Sequence, residues 1–249
     1  LAKRKIQRVG LSATVGNPNE IANWLATENC EPIIAPAPRG TEIRITCSQP
    51  EDQDEAIALE HNTSPKAMAS LRMLAKRLKK DAPSLIFVNS RNAAETVASR
   101  LATFDKSLDI GIHHGSLSSE LREEMEERLQ SGNIHALVCT SSLELGIDVG
   151  AIRHVHQIQS PRSVDRLLQR VGRAEHVLGG TGRGDLVAWE HDEIGEAAVI
   201  ARRAISGELE GVRWRTMPRT VAANQMVMMT LSEGITPLDA TTTLFQRTS

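Results

Sequence analysis

The residues best suited to chemistry fall in a few short segments whose order along the chain matters as much as their content. The richest is Val138-Cys139-Thr140-Ser141-Ser142-Leu143-Glu144-Leu145-Gly146-Ile147-Asp148-Val149, with Gln169-Arg170-Val171-Gly172-Arg173 downstream. The hydroxyls of Thr140 and Ser141 leave an apolar run at a point where they can hold a phosphodiester. Gly146 permits close approach, and Asp148 offers a carboxylate to a ribose hydroxyl or an arginine. In the second segment Arg170 and Arg173 stand three apart on an expected helix opened by Ser163, which puts them on one face. Two guanidinium groups on one face suit a transferring phosphoryl group, whose charge they would neutralise. On spacing alone, a solvated basic helix face accounts for them as well.

Three further segments are candidates. Ser12-Ala13-Thr14 follows the strand-like Arg8-Val9-Gly10-Leu11 and sets two hydroxyls and a small residue on a loop, where a helix-capping turn is the plainer reading. Asn89-Ser90-Arg91 ends an apolar run and opens a helical pattern; polar side chains and free N–H groups at a helix N-terminus form a phosphate site, and Ser90 could equally just cap the helix. His113-His114-Gly115-Ser116 also lies between a strand pattern and a helix pattern. A metal there needs a third ligand that the sequence does not nominate, so contact with a backbone phosphate or simple capping fits better. Gly179-Gly180-Thr181-Gly182-Arg183-Gly184 resembles a phosphate-cradling loop but lacks the Gly-Lys-Ser/Thr ending and opens no helix, so it reads as a flexible turn before a strand at Asp185 to Trp189.

These segments need elements to hold them. Ser84 to Val88, Ile110 to His113, Ala136 to Cys139 and Val155 to Ile158 read as strands, the first and third apolar enough for burial on both faces. Between them lie helical patterns: Pro65 to Lys80, capped by Ser64 with proline at its first position, Asn92 to Ala102, and Ser118 to Gln130, with Glu120, Glu123 and Glu124 near its positive end. Alternation at this spacing predicts right-handed βαβ units, hence an α/β fold with a parallel sheet covered by helices and active residues on loops leaving the C-terminal strand edges. Residues 48 to 64 are polar and acidic and read as a linker or insertion. From Arg202 the pattern becomes helical only, with Thr220 to Glu233 and Pro237 to Phe245, and is expected to open a second, helical domain.

Composition narrows the choices. Lys and Arg number 29 against 31 Asp and Glu, a net charge of −2, so any polyanion site must be local. Three Trp, three Phe and no Tyr make a base-stacking platform a poor fit, and contacts to a strand should be polar and directed at its backbone. Cys30, Cys47 and Cys139 are far apart, which argues against a disulfide framework or zinc knuckle and fits a cytoplasmic setting. No apolar run is long enough for a membrane span, and no membrane association is expected. The chain opens Leu1-Ala2-Lys3 without methionine and is expected to be part of a longer protein.

Taken in order, Leu11-Ser12-Ala13-Thr14 resembles motif III of the superfamily 2 helicases, Leu85 to Arg91 motif IV, Thr140 to Asp148 motif V and Gln169 to His176 motif VI. The wording of His113-His114-Gly115-Ser116-Leu117-Ser118, Leu143 to Asp148 and a motif VI ending in His176 resembles the Lhr, or large helicase-related, family. The likeness covers roughly residues 6 to 190. It implies that residues 1–201 form the second RecA-like domain of a motor and that 202–249 begin a winged-helix domain. It implies further an ATP-driven translocase moving 3′ to 5′ along a single strand, DNA favoured over RNA. By position, Gly146 and Asp148 would face the nucleotide, Arg173 would be the arginine finger with Gln169 and Arg170 beside it, and Ser90, Arg91, Gly115, Thr140 and Ser141 would lie along the strand, with His114 in the same groove. Ser12, Ala13 and Thr14 would couple the domains. Glu175 stands where the Lhr pattern commonly has glycine, and His176 where related helicases have arginine.

No Gly-x-x-x-x-Gly-Lys-Ser/Thr loop and no Asp-Glu-x-His box occurs in the chain. ATP and Mg²⁺ would then be held mainly by an N-terminal RecA-like domain of the same parent protein, and the chain alone should be inactive. The competing expectation is a non-catalytic RecA-like module that binds nucleic acid or protein.

Overall fold

Short apolar runs with no polar face are stable only in the middle of a sheet covered on both sides. That is where the computed structural model places Ser84–Phe87 and Ala136–Cys139, each residue buried. The structure describes residues 7–12, 14–25, 31–34, 40–144, 150, 152–174, 182–213, 215, 218–234 and 236–248. In chain order the elements are α1 (Pro18–Leu25), β1 (Thr41–Cys47), α2 (Asp52–Glu60), α3 (Pro65–Asp81), β2 (Ser84–Phe87), α4 (Arg91–Phe104), β3 (Ile110–His113), α5 (Ser119–Gln130) and β4 (Ala136–Cys139). They continue with β5 (His154–Ile158), α6 (Val164–Val171), β6 (Gly182–Ala188), α7 (His191–Ser206), α8 (Arg219–Glu233) and α9 (Pro237–Thr248).

The strands form one six-stranded sheet in the order β1-β6-β5-β2-β4-β3, every pairing parallel. Side-chain alternation sorts the core onto two faces. Ile86 and Val138 pack with Met68, Leu71, Leu74 and Leu78 of α3 and Val97 and Leu101 of α4. Leu85, Phe87, Leu137 and Cys139 face the other way, toward Leu129 of α5 and Val155. Farther along the sheet, Leu186 packs with Val164, Leu167 and Val171 of α6 and Ala197, Ile200 and Ala204 of α7. The helix starts follow their caps: the hydroxyls of Ser64, Ser90 and Ser118 accept hydrogen bonds from the N–H groups of Ala67, Ala93 and Leu121.

Several expectations need correction. Residues 48 to 64 are not a linker, because they contain α2. Its first turn is closed by a reciprocal box in which Glu51 N–H donates to Asp54 Oδ2 at 2.8 Å, and fully buried Asp54 receives two 2.9 Å hydrogen bonds from Arg72. The acidic residues that suggested a solvated stretch are thus helix-start ligands, and Ala58 joins the core. Arg8 to Leu11 is not in a strand, and Val9 and Leu11 are exposed. The edge strand β1 lies outside the expected strands, although Ile43 and Ile45 alternate with Glu42 and Arg44. Gly182 and Gly184 are part of β6 rather than of a turn. The expected break between 201 and 202 falls within α7, whose Ala204 is in the core; the compact units are Leu1–Gly211 and Val212–Ser249. In the second unit α8 ends at Gly234 in the left-handed region (φ 64°), and Thr236 caps α9 through Asp239 N–H at 3.2 Å.

The glycines of β6 let α6 approach closely. A Cβ on Gly184 would lie 2.6 Å from Val171 Cγ2, and Val171 is β-branched and buried, so it cannot swing aside. Gly184→Ala should therefore cost about 1–3 kcal/mol in urea denaturation, the usual size of an overpacking penalty. Adding Val171→Ala should recover part of the loss; an unchanged midpoint in the single variant would contradict this packing.

Candidate functional site

A parallel sheet sends every strand's C-terminal end to one edge, so the loops leaving β3, β4, β2 and β5, which are neighbours in that order, form one rim. Ser90 and Arg91, Gly115, and Thr140 and Ser141 all lie on it, brought together from three separate segments. Ser90 is exposed and its hydroxyl caps α4, accepting from Ala93 N–H at 3.1 Å. Arg91, Gly115 and Ser141 are exposed, and Thr140 is half-buried with its N–H donating to His113 O at 3.3 Å.

His114 is not an open groove residue. It is 3% exposed, its Nδ1 accepts from Ser116 N–H at 3.3 Å, and its Nε2 stands 3.4 Å from Glu95 Oε1, so it shapes its own loop. His113, fully buried, holds two neighbouring elements: its ring nitrogens lie 2.8 Å from Ser142 Oγ and 2.9 Å from Glu126 Oε1. Burial pushes its pKa down, with the partial opposition of Glu126. A sequence view that treats the pair as loop histidines misses that β3 extends through His113 and turns its ring inward.

Arg170 also departs from expectation. It does not share an open face with Arg173 but is 2% exposed, behind the rim. Its Nε and NH2 donate to Glu144 Oε1 at 2.8 and 2.5 Å, one NH1 donates to Gln157 Oε1, and the same nitrogen lies 3.4 Å from Asn89 Oδ1. The guanidinium carbon sits 5.1 Å from the centroid of the Phe87 ring. Burial pushes the Arg170 pKa down and Glu144 pulls it back up; a guanidinium remains charged in either case. The partners come from the loops after β2 and β4 and from β5 itself, so one side chain ties α6 to three adjacent strand ends. Gln157 carried a usable signal, a polar residue in an otherwise apolar strand that must find a partner.

Arg173 lies past the end of α6, which stops at Val171. The chain there is fixed on both sides: Val171 packs against Gly182 and Gly184, and Ala174 forms a parallel bridge with Ile152. Arg173 N–H donates to Arg170 O at 3.0 Å, and the side chain is half-buried, its pKa pushed down by loss of solvent. Gln169, one position before Arg170, donates from Nε2 to Thr14 Oγ1 at 3.0 Å, which joins residues 155 apart in sequence. Ser12 is exposed, with its hydroxyl 3.4 Å from Thr14 N. Ala13, Gly146 and Asp148 lie outside the described residues, as do Glu175 and His176. Ser163 occupies the cap position of α6 without a capping bond; Val164 N–H instead donates to the Glu210 carboxylate at 3.1 Å. Before α6, Gln159 and Arg162 have φ of 59° and 71°, a left-handed backbone that non-glycine residues keep only where their surroundings hold it.

This sheet order, with polar loops at one rim and an arginine-bearing helix end beside them, defines a RecA-like helicase C-terminal domain, and the helicase conserved C-terminal domain family matches residues 66–177. Within that class the chain belongs to the Lhr family of superfamily 2. It is 36% identical over 248 residues to the ATP-dependent helicase Lhr-Core of Sulfolobus acidocaldarius, an alignment covering 96% of this chain and 27% of that protein. To the Lhr helicase/probable uracil glycosylase of Mycolicibacterium smegmatis it is 33% identical over 262 residues, covering 94% and 17%. The structure of Mycobacterium smegmatis helicase Lhr bound to ssDNA and AMP-PNP superposes with a TM-score of 0.75 at 31% identity, over 94% of this chain and 31% of that one. The fold is shared more widely, with a TM-score of 0.58 at 16% identity to Saccharomyces cerevisiae Dbp5. The chain spans about a quarter of the length of the Lhr-Core relatives it matches.

Removing Glu144 leaves a buried guanidinium without its carboxylate. Glu144→Ala should lower the unfolding free energy of the chain by about 3–5 kcal/mol, the range for breaking one side of a buried ion pair. Equilibrium urea denaturation reads it, and a loss under about 1 kcal/mol would mean that the pair behaves as a surface contact.

Proposed function

We propose that this chain is the C-terminal half of an ATP-dependent nucleic-acid helicase motor, supplying an arginine finger and part of the groove for a single strand. The observation that carries the reading is the fixed turn at Arg173, held between Val171 and Ala174. It sits directly after the helix whose Gln169 reaches Thr14 and whose Arg170 is locked to the strand-facing loops. A guanidinium preset in this way loses little freedom when it meets a phosphate, and its planar fork matches phosphate oxygens.

The roles divide accordingly. Arg173 neutralises charge on the transferring phosphoryl group of ATP, Arg170 positions it, and Gln169 with Ser12, Ala13 and Thr14 couples this domain to an N-terminal RecA-like domain of the same parent. Gly146 and Asp148 are assigned to the nucleotide by the family resemblance. Glu144, the carboxylate of the β4 loop, is committed to Arg170, so Mg²⁺ is assigned to the N-terminal domain. Ser90, Arg91, Gly115, Thr140 and Ser141 line the strand, contacting its backbone rather than its bases. DNA is the favoured strand, a choice supported by the ssDNA-bound Lhr relative.

The test uses the longer protein carrying both motor halves. Arg173→Ala should leave single-strand binding unchanged and slow single-turnover ATP hydrolysis by about 10³ or more, the scale of a missing arginine finger. Arg173→Lys should fail too, because one ammonium cannot reproduce the fork. His176→Ala should cost clearly less, since an imidazole lacks the planar fork with which a guanidinium meets phosphate oxygens. Equal defects at 173 and 176 would overturn the assignment, and undiminished hydrolysis in Arg173→Ala would favour a module that only binds.

A further inference from the structure

The opposite end of the sheet carries a cluster for which the proposed motor has no use. His154 opens β5 and pairs in register with Ser84, the first residue of β2, so it lies at the N-terminal edge, away from the rim. Strand alternation puts His156 on the same face as His154, and that face is covered by α3, which ends at Asp81. The two rings stack with centroids 4.6 Å apart and planes tilted by 37°. Both histidines are buried, at 8% and 0% exposed, yet His154 Nε2 and both ring nitrogens of His156 make no hydrogen bond. Of these, His154 Nε2 and His156 Nδ1 lie 3.2 and 3.4 Å from Asp185 Oδ2, so the nitrogen left without a close partner is His156 Nε2, and a buried nitrogen in that state is costly unless something occupies it.

We propose that Asp81, His154 and His156 form a binding site for a divalent transition-metal ion of the zinc type. One ligand atom from each lies within 4.8 Å of the others, and His156 Nε2 stands 3.8 Å from Asp81 Oδ2. Bonds of about 2.0–2.2 Å in a tetrahedral site need only a modest contraction of these spacings. Two imidazoles and one carboxylate select zinc-like ions over magnesium or calcium, which prefer oxygen ligands throughout.

The surroundings supply the second layer that such sites use. Asp185 faces the other nitrogen of His156, Nδ1, at 3.4 Å, where it can orient the ring so that Nε2 points to Asp81 and the ion. Asp185 is itself spoken for: Arg44 Nε and Arg77 NH1 donate to its two oxygens at 2.7 and 2.9 Å. Arg44 and Arg77 balance Asp185, so the ion's charge must be offset by Asp81 and an anion in the fourth position. Asp81, with 20% of its side chain exposed, is the entry side. The ion would pin the start of β5 to the end of α3, a structural role separate from ATP turnover.

The experiment titrates the 249-residue chain with CoCl2 and with ZnCl2 in a non-chelating buffer, reading the visible absorption of bound Co²⁺ and the thermal midpoint. The expected result is one equivalent bound, with tetrahedral-type Co²⁺ absorption that Zn²⁺ displaces and a midpoint that rises with metal concentration, since binding to the folded state alone stabilises it. Even a supporting contact is worth about 10–100-fold in metal affinity, so Asp81→Asn and His156→Gln should each weaken binding by about tenfold or more. Should His156→Gln not fold, Asp81→Asn, a near-isosteric change at the partly exposed member of the cluster, decides alone. No saturable binding, or equal affinity in Asp81→Asn, would overturn the proposal; the second outcome would put the ion on other histidines.

Discussion

Carrying a guanidinium into the interior is costly, and the chain does so at Arg170 only because three elements converge to receive it. Glu144 provides the charge, Gln157 and Asn89 provide acceptors, and Phe87 lies against the cation. No pair of these would suffice, since a buried cation left short of acceptors is worse than an apolar residue in its place. The arrangement therefore fixes α6, the β4 loop, the β2 loop and β5 relative to one another. That rigidity is what the proposed chemistry requires of its scaffold: Arg173 lies three residues beyond Arg170, and its approach to a phosphate is set by where α6 is held.

The same helix is seated by a second constraint of a different kind. Val171 presses on two glycines of β6, so the end of α6 stands closer to the sheet than a side chain at position 184 would allow. Ala174 is then bridged to Ile152, and the chain between has little freedom. Polar attraction sets the direction of α6 and close packing sets its depth. Neither depends on the nucleotide, which is how a site can be organised before its ligand arrives.

Much of this was legible in the sequence. The strands at 84, 110, 136 and 155 and the serine-capped helices were marked by apolar runs and cap residues whose signals are local. What was hidden depended on distant partners. The box at Glu51 and Asp54 looked solvated because Arg72, its partner, lies in another helix. β1 is an edge strand, half-exposed, and so carried only a weak alternation. Spacing placed Arg170 beside Arg173, but periodicity says nothing about where a helix stops, and α6 ends between them. His114 looked like a loop residue and is folded under its own loop by Ser116. The contact from Gln169 to Thr14 could not have been read from either residue's neighbours, although both belonged to the segments singled out as chemical.

The most direct test of this account is the structure of the longer protein with a DNA single strand and a non-hydrolysable ATP analogue. The account predicts Arg173 within hydrogen-bonding distance of the terminal phosphate, and Arg170 still on Glu144 and Gln157 with no contact to the nucleotide. Arg170 released from Glu144 and bound to the phosphate, with Arg173 turned away, would contradict it.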